Sequence, residues 1–334
     1  MREQIDLYLE LTKSTNGLSN ISPESLSKPE TAQLFSFGIG SQIPSGCVDA
    51  ANFLIAEFKR KSAVSFDVET AICTGVYLAL RGHATQLYEA AAKLTSDFSQ
   101  FDEKSVKEHP HLLPVFQNAL KVSKAQLQKK VGSASDTSVS RAASGKIATL
   151  LTEAIGTNAF DREVVLQRME ITLEGIVRDL VGRVLLEEVV AHALEDQGVA
   201  FLREKDYPAI SGVVYDIRAD FVLPNHTDPI AFIEVRKSSS RHASLYAKDK
   251  MFSAINWKGR HKKLIGVVVV EGEWTQATLK TMSSVFDYVV PLAKAADLAK
   301  TLKRAQDGDE SVLRWIIEFS ISSSEKYATD NTAM

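Results

Sequence analysis

The sequence predicts an α/β protein in which a mixed β-sheet flanked by helices is preceded by an all-α N-terminal region. Two observations support this fold class. Up to Gly198 the apolar residues recur at helical spacing, whereas after Gly198 short runs rich in β-branched and aromatic residues alternate with helical segments. Such an order of elements is typical of a sheet that carries helices on both faces.

The N-terminal region is predicted to be helical apart from two polar segments. Residues 1–45 contain a short amphipathic start and a loop-like stretch, and residues 131–144 have the small, polar composition of a flexible connector. The predicted helices cover 47–60, 65–100, 115–130 and most of 145–197. A chain of 334 residues exceeds the usual size of one domain, so we expect a helical domain over 1–175 and an α/β domain over 176–334.

The C-terminal region changes to a strand-like period. The predicted strands cover 199–204, 212–223, 230–237, 263–272 and 287–292, and the predicted helices cover 240–258, 275–286 and 296–306. The turn sequence Pro-Asn-His-Thr-Asp-Pro separates the second strand from the third. We therefore expect these two strands to be neighbours in a hairpin.

Composition excludes several classes of protein. The apolar share of 45% and the charged share of 24% are those of a soluble globular protein, and no apolar run is long enough to span a bilayer. Two cysteines are too few for a disulfide framework and lie far from any His cluster, and the first residues do not resemble a signal peptide. We expect a cytoplasmic protein that does not associate with membranes.

Charge is unevenly distributed along the chain. The net charge is only −3, but the window 234–263 holds nine Lys or Arg residues against two acidic ones, which leaves the remainder of the chain at −10. A local positive field, rather than the net charge, attracts phosphate. The sequence therefore predicts that this window contacts a polyanion.

Two carboxylates are predicted to meet at the end of the hairpin. Strand alternation puts Asp216, Arg218 and Asp220 on one face of their strand, and Glu234 and Arg236 on one face of the next. Mg²⁺ takes one or two carboxylates, keeps several waters and uses phosphate oxygens for its other ligands. A buried carboxylate needs a partner, which can be a metal ion or an arginine, and both interpretations remain open from the residues alone.

These residues resemble a known family. Asp220, thirteen intervening residues and then Glu234-Val235-Arg236, set in a helix, three strands, a helix and a further strand, resemble the PD-(D/E)XK nuclease superfamily, which includes most type II restriction endonucleases. The resemblance covers roughly residues 181–292. It implies a restriction-endonuclease-like fold, Mg²⁺ bound by Asp220 and Glu234, and hydrolysis of phosphodiester bonds in double-stranded DNA.

The motif departs from the family pattern in two places. Asp220 follows Ala219, where the family often has Pro, and Arg236 stands where the family has Lys. Arginine can stabilise a phosphate and orient water, but it stays protonated and cannot act as a base. Lys237 is the reserve cation, although strand alternation points it to the other face unless a bulge re-aims it. A lysine of the following helix, Lys248 or Lys250, is a further alternative.

Other site residues follow from the resemblance and from the basic window. Glu188, on the helix before the strands, corresponds to a supporting metal carboxylate of some family members; the alternative is an ordinary exposed helix residue beside Glu187. The residues expected to contact DNA are Arg241, His242, Lys248, Lys258 and Arg260, because Arg suits guanine edges and Lys suits phosphate.

The expected function is therefore that of a type II site-specific deoxyribonuclease of a restriction–modification system. Asp220, Glu234, Arg236 and Lys237 are its expected catalytic residues, and cleavage of both strands favours a homodimer. The helical domain is expected to bind DNA, dimerise or regulate. Two alternatives are a structure-specific or repair nuclease, and a catalytically silent DNA-binding protein that retains the fold.

Overall fold

The computed structural model describes residues 1–61, 66–239 and 243–318. The helices are α1 Arg2–Ser14, α2 Pro29–Gly38, α3 Ala50–Arg60, α4 Val68–Leu94, α5 Glu103–Glu108, α6 Leu113–Ala119, α7 Lys124–Val131, α8 Arg141–Glu153, α9 Arg162–Asp196, α10 Ala243–Arg260, α11 Gln276–Met282 and α12 Ala295–Gln306. The strands are β1 Leu202–Arg203, β2 Phe221–Leu223, β3 Ala231–Ser239, β4 Ile265–Glu273 and β5 Tyr288–Pro291. The protein is thus α/β, with a helical N-terminal region as predicted.

The five strands form one mixed sheet in the order β1-β2-β3-β4-β5. β2 is antiparallel to β1 and to β3, whereas β4 is parallel to β3 and to β5. The predicted hairpin between the second and third strands is confirmed, with Phe221 opposite Ile233. The parallel connections pass through α10 and α11, as expected where a strand returns to its neighbour in the same direction.

The first two strands are much shorter than predicted. β1 has two residues and β2 has three, and most of the predicted strand over 212–223 is irregular. The hydroxyl of Tyr207 donates to the Ala219 carbonyl and accepts from the Ala219 N–H, both at 2.7 Å, so a side chain takes the place of a strand partner there. The alternation of residue types in the sequence cannot show that a side chain, and not a neighbouring strand, makes these hydrogen bonds.

The core of the sheet lies around β3 and β4. Every residue from Ile265 to Val270 is buried, which explains the unbroken apolar run in the sequence. Phe232 packs against Trp257 of α10 and Phe286, with ring centroids 4.8 and 6.0 Å apart. These contacts hold α10 against the sheet and so determine which of its residues lie beside β3.

The chain divides into two compact units. One comprises Met1–Ile72 with Arg183–Met334, and the other comprises Cys73–Gly182. This division differs from the expected one at residue 175, because α1 packs against α12 and residues 1–72 belong to the same unit as the sheet. Helical periodicity shows that a segment is amphipathic, but it does not show what covers its apolar face.

The second unit is built from helices around a core that includes Phe116, Leu151 and Val165. Residues 131–144, predicted as a flexible connector, lie inside this unit. The Ser135 N–H donates to the Ser138 carbonyl at 2.8 Å, and Ser140 caps α8. The connector prediction was wrong because small polar residues also suit tight turns and helix caps. Within the described residues, no helix is long and apolar enough to cross a membrane.

Candidate active site

Asp220 and Glu234 share one guanidinium. Asp220 directly precedes β2, and the pairing of Phe221 with Ile233 brings it opposite Glu234 on β3. Arg236 donates from Nη1 to Asp220 Oδ2 at 2.7 Å and from Nη2 to Glu234 Oε2 at 2.6 Å. The structure therefore brings these three residues together. It shows an arginine, one of the two expected partners of the buried carboxylates.

The Asp220 carboxylate is held by the backbone as well. Its Oδ2 also accepts from the Val235 N–H at 2.7 Å, and the Asp220 carbonyl accepts from the Glu204 N–H at 3.0 Å. Arg236 Nη1 donates a further hydrogen bond, of 2.5 Å, to the Val235 carbonyl. Two carboxylates and a main-chain carbonyl thus surround one cationic group.

Glu234 is the most deeply buried acid of the cluster, with none of its surface exposed. The pKa of its carboxyl is raised from 4.5 to about 7, because burial and, to a lesser extent, Asp220 outweigh the opposing effects of Arg236 and Lys250. Lys250 Nζ of α10 lies 3.2 Å from Glu234 Oε2. Glu234 Oε1 has no hydrogen-bond partner among the described residues. A buried oxygen without a donor is costly, and a water or a cation at this position would stabilise it.

Glu187, rather than Glu188, faces this cluster from α9. Burial raises the pKa of Glu187, and the Asp220 carboxylate raises it further while Arg236 lowers it. The Glu188 carboxylate instead accepts from both terminal nitrogens of Arg203, a hydrogen bond that lowers the pKa of Glu188. The structure therefore places Glu187, and not the expected Glu188, beside the acids. Adjacent helix residues point about 100° apart, so only the packing of α9 decides between them.

A cavity of about 400 Å³ lies beside Glu187. Its lining residues are Val184, Glu187, Glu188, Arg203, Glu204, Lys205 and Arg218. Arg218 lies 3.7 Å from Glu204, not beside Asp216 or Asp220. Asp216 accepts a hydrogen bond from the Gly212 N–H, because residues 212–216 form a loop and do not continue the strand as predicted.

Lys237 lies on the opposite face of β3 from Glu234. It pairs with Glu69 and lies across from Glu271 of β4. Burial raises the pKa of Glu271 to about 7, and Lys237 opposes that rise. The structure therefore removes Lys237 from the expected catalytic group, since no bulge re-aims it and β3 pairs with β4 without interruption. Lys250 is the lysine that reaches the acids.

The residues expected to contact DNA are distributed differently from the prediction. Lys258 has no exposed surface and pairs with Asp287 inside the core, so it is unavailable to DNA and that expectation was wrong. Lys248 and Arg260 are exposed. Arg241 and His242 lie outside the described residues.

Most of the described cations in the window 234–263 are paired with acids, four of them with acids from other parts of the chain. Six of its nine cations contact carboxylates: Arg236 with Asp220 and Glu234, Lys237 with Glu69, Lys250 with Glu234, Lys258 with Asp287, Lys262 with Glu318, and Lys263 with Glu310. A charge count along the sequence overstates the free positive charge because it cannot include partners supplied by the fold.

The donor set suits a hard divalent cation. Within the part of the chain that the structure describes, no three His, Cys, Asp or Glu side chains form a metal-binding group by themselves. Mg²⁺ does not require three, since it takes one or two carboxylates and completes its shell with water and phosphate oxygens. Asp220 and Glu234 would be its protein ligands, and the unpaired Glu234 Oε1 is the atom that fits this role best.

Comparison with known proteins identifies no relative. No protein-family model matches the chain, and no curated protein or solved structure matches it either. The feature of this protein that bears on function is the cluster formed by Asp220, Glu234, Arg236, Lys250 and Glu187.

Proposed function

We propose that this protein is a Mg²⁺-dependent DNA endonuclease of the restriction type, related in fold to the PD-(D/E)XK nucleases. One observation carries the proposal: Asp220, directly before β2, and Glu234 of β3 converge beside two cations, Arg236 and Lys250. Hydrolysis of a phosphodiester needs hard oxygen ligands for a metal and positive charge near the reacting phosphate.

Each residue has a role that follows from its contacts. Asp220 and Glu234 would hold the cation, which when bound would supply positive charge at the phosphate. Arg236 keeps its charge at all working pH values, so it stabilises a phosphate oxygen and takes no proton. The Lys250 ammonium, 3.2 Å from Glu234, donates hydrogen bonds to the attacking water or to the phosphate.

Glu187 adds a third negative charge near the cluster. With Asp220 and Glu234 ionised, the three acids outweigh the Arg236 and Lys250 cations by one charge. That excess favours a divalent cation and disfavours bare DNA, so substrate binding depends on the metal. Because Glu234 has a pKa of about 7, protons compete with the cation below that pH, and we expect cleavage to increase as the pH rises through 7.

A plasmid digest tests the proposal. Wild type with Mg²⁺ should convert methylation-free plasmid to discrete bands, EDTA should prevent this, and Asp220→Asn should lose at least a hundredfold in rate while retaining its fold. Asp216→Asn is the matched control, because Asp216 lies in an exposed loop, and it should cut normally. Normal cutting by Asp220→Asn would refute the proposal.

A second candidate is a catalytically silent DNA-binding protein with the same fold. The observation that favours it is the Arg236 guanidinium, which occupies both carboxylates at 2.7 and 2.6 Å. Duplex binding without cleavage in Mg²⁺ or Mn²⁺ would support this candidate. A preference for branched over linear duplex would instead indicate a structure-specific or repair nuclease.

A further inference from the structure

One row of residues along α10 forms a ridge that combines two exposed cations, an exposed aromatic ring and a buried amide. Lys248, Phe252, Asn256 and Arg260 are each four residues apart, so they follow one row along the helix. Twelve residues at 1.5 Å each separate Lys248 from Arg260 by about 18 Å along the axis. Lys250 contacts Glu234 from a different side of the same helix.

A preceding loop is fastened onto this ridge by Asn256. The Asn256 side chain is buried; its Oδ1 accepts from the Val214 N–H at 2.7 Å, and its Nδ2 donates to the Tyr215 carbonyl at 2.9 Å. The Asn256 carbonyl also accepts from the Val213 N–H at 3.1 Å. Gly212 permits the approach, since a Cβ there would lie 2.0 Å from Asn256 Nδ2. Several hydrogen bonds thus hold the loop 212–215 in one conformation.

The fastened loop presents an exposed aromatic pair. The rings of Tyr215 and Phe252 stack with centroids 5.8 Å apart and planes 25° apart. Yet Tyr215 remains 37% exposed and Phe252 50% exposed. Folding has therefore ordered two aromatic side chains without burying them, which is characteristic of a preformed recognition surface.

The cations at the two ends of the ridge are free. Neither Lys248 nor Arg260 has an ion-pair partner within residues 1–61, 66–239 and 243–318, whereas the other described cations of the window 234–263 are paired. Asp249 is the one carboxylate of α10 and lies 3.7 Å from Lys250 Nζ. Among the described residues of the window, the two cations that remain unpaired thus lie on either side of Phe252 along the helix axis.

We propose that this ridge binds a DNA strand, with an unstacked base against the Tyr215–Phe252 pair and phosphates at Lys248 and Arg260. Aromatic rings between cations are the arrangement by which proteins bind nucleic acid without reading its sequence. A second copy of this chain fits less well, because two such ridges would place unpaired cations against each other. This inference rests on the proposed action on DNA and adds a surface on a different side of α10 from Lys250.

The test measures binding without catalysis. Anisotropy in EDTA would use a labelled 30-base-pair duplex and the same duplex with a five-nucleotide single-stranded gap. Phe252→Ala should weaken binding of the gapped DNA at least tenfold, and Phe252→Leu should behave like Ala, because bulk without a π-face cannot stack. Phe252→Trp should restore binding. Ile316→Ala is the matched control, since Ile316 is 63% exposed in the same unit.

Salt dependence gives an independent measurement. Lys248→Ala and Arg260→Ala should each reduce the slope of log affinity against log salt by about 0.7–0.9. Unchanged affinity of Phe252→Ala would overturn the inference. So would sedimentation showing that Phe252→Ala only dissociates a dimer, because the ridge would then be an interface between copies.

Different results would refute the proposed nuclease activity and the proposed binding of DNA by the ridge. Normal Mg²⁺-dependent cutting with no effect of Phe252→Ala would leave the nuclease intact and remove the ridge from DNA binding. Weakened binding by Phe252→Ala in a protein that never cuts would retain the ridge and remove the nuclease.

Discussion

Replacing Glu234 by Gln should make the sheet-containing unit less sensitive to pH. Burial raises the pKa of Glu234 from 4.5 to about 7 in the folded protein. As the pH rises past 4.5 the unfolded chain loses its proton first, and the folded protein keeps its proton until about pH 7. The unfolded state is therefore favoured progressively across this window, and the free energy of unfolding falls.

The size of the effect follows from the two pKa values. At 1.36 kcal/mol for each pH unit, a rise from 4.5 to about 7 corresponds to about 3 kcal/mol over the whole window. Between pH 5 and pH 8 the expected difference is roughly 2–3 kcal/mol. Gln keeps the shape of Glu but does not titrate, so Glu234→Gln should lose this contribution and retain the rest.

Urea unfolding at pH 5 and pH 8, followed by tryptophan fluorescence, measures the difference. Trp257, Trp274 and Trp315 all belong to the unit that contains the sheet, so the signal reports on that unit alone. Glu271→Gln, on the other face of the sheet, should change the pH dependence in the same direction, because burial also raises its pKa to about 7. Parallel pH curves for wild type and Glu234→Gln would refute the reasoning.

Two further pairs of substitutions separate structural from functional residues. Asp287→Ala should lower the free energy of unfolding of the same unit by about 3–5 kcal/mol, because it leaves the Lys258 ammonium buried without a partner and removes the acceptor of the Gly266, Arg314 and Trp315 N–H groups. Urea unfolding measures this, with Lys263→Ala, which breaks an exposed pair with Glu310, as a control that should leave stability unchanged. Glu187→Gln should reduce Mg²⁺-dependent cleavage at least tenfold without loss of stability, whereas Glu188→Gln should cost about 1–3 kcal/mol of stability through Arg203 and spare activity. Equal effects of the two variants on cleavage would contradict the placement of Glu187.

The sequence by itself determined the α/β fold class, the order of elements after α9 and the proximity of Asp220 to Glu234. These depend on periodicity and on short turns, which are local properties of the chain. Strand alternation also indicated that Arg236, and not Lys237, would lie beside the acids, and the contacts of Arg236 with both carboxylates agree with that. The length of the second strand was overestimated, because Tyr207 replaces a strand partner at Ala219.

Tertiary structure decided which charges are free. Lys248 and Lys258 both lie on α10, yet Lys258 pairs with Asp287 in the core whereas Lys248 is exposed. Glu187 and Glu188 are adjacent, yet only Glu187 faces Asp220. In each case the answer depends on which face of a helix packs against the sheet and on partners distant in sequence. A linear pattern contains neither, so the unpaired cations among the described residues of the window, Lys248 and Arg260, could be identified only from the folded structure.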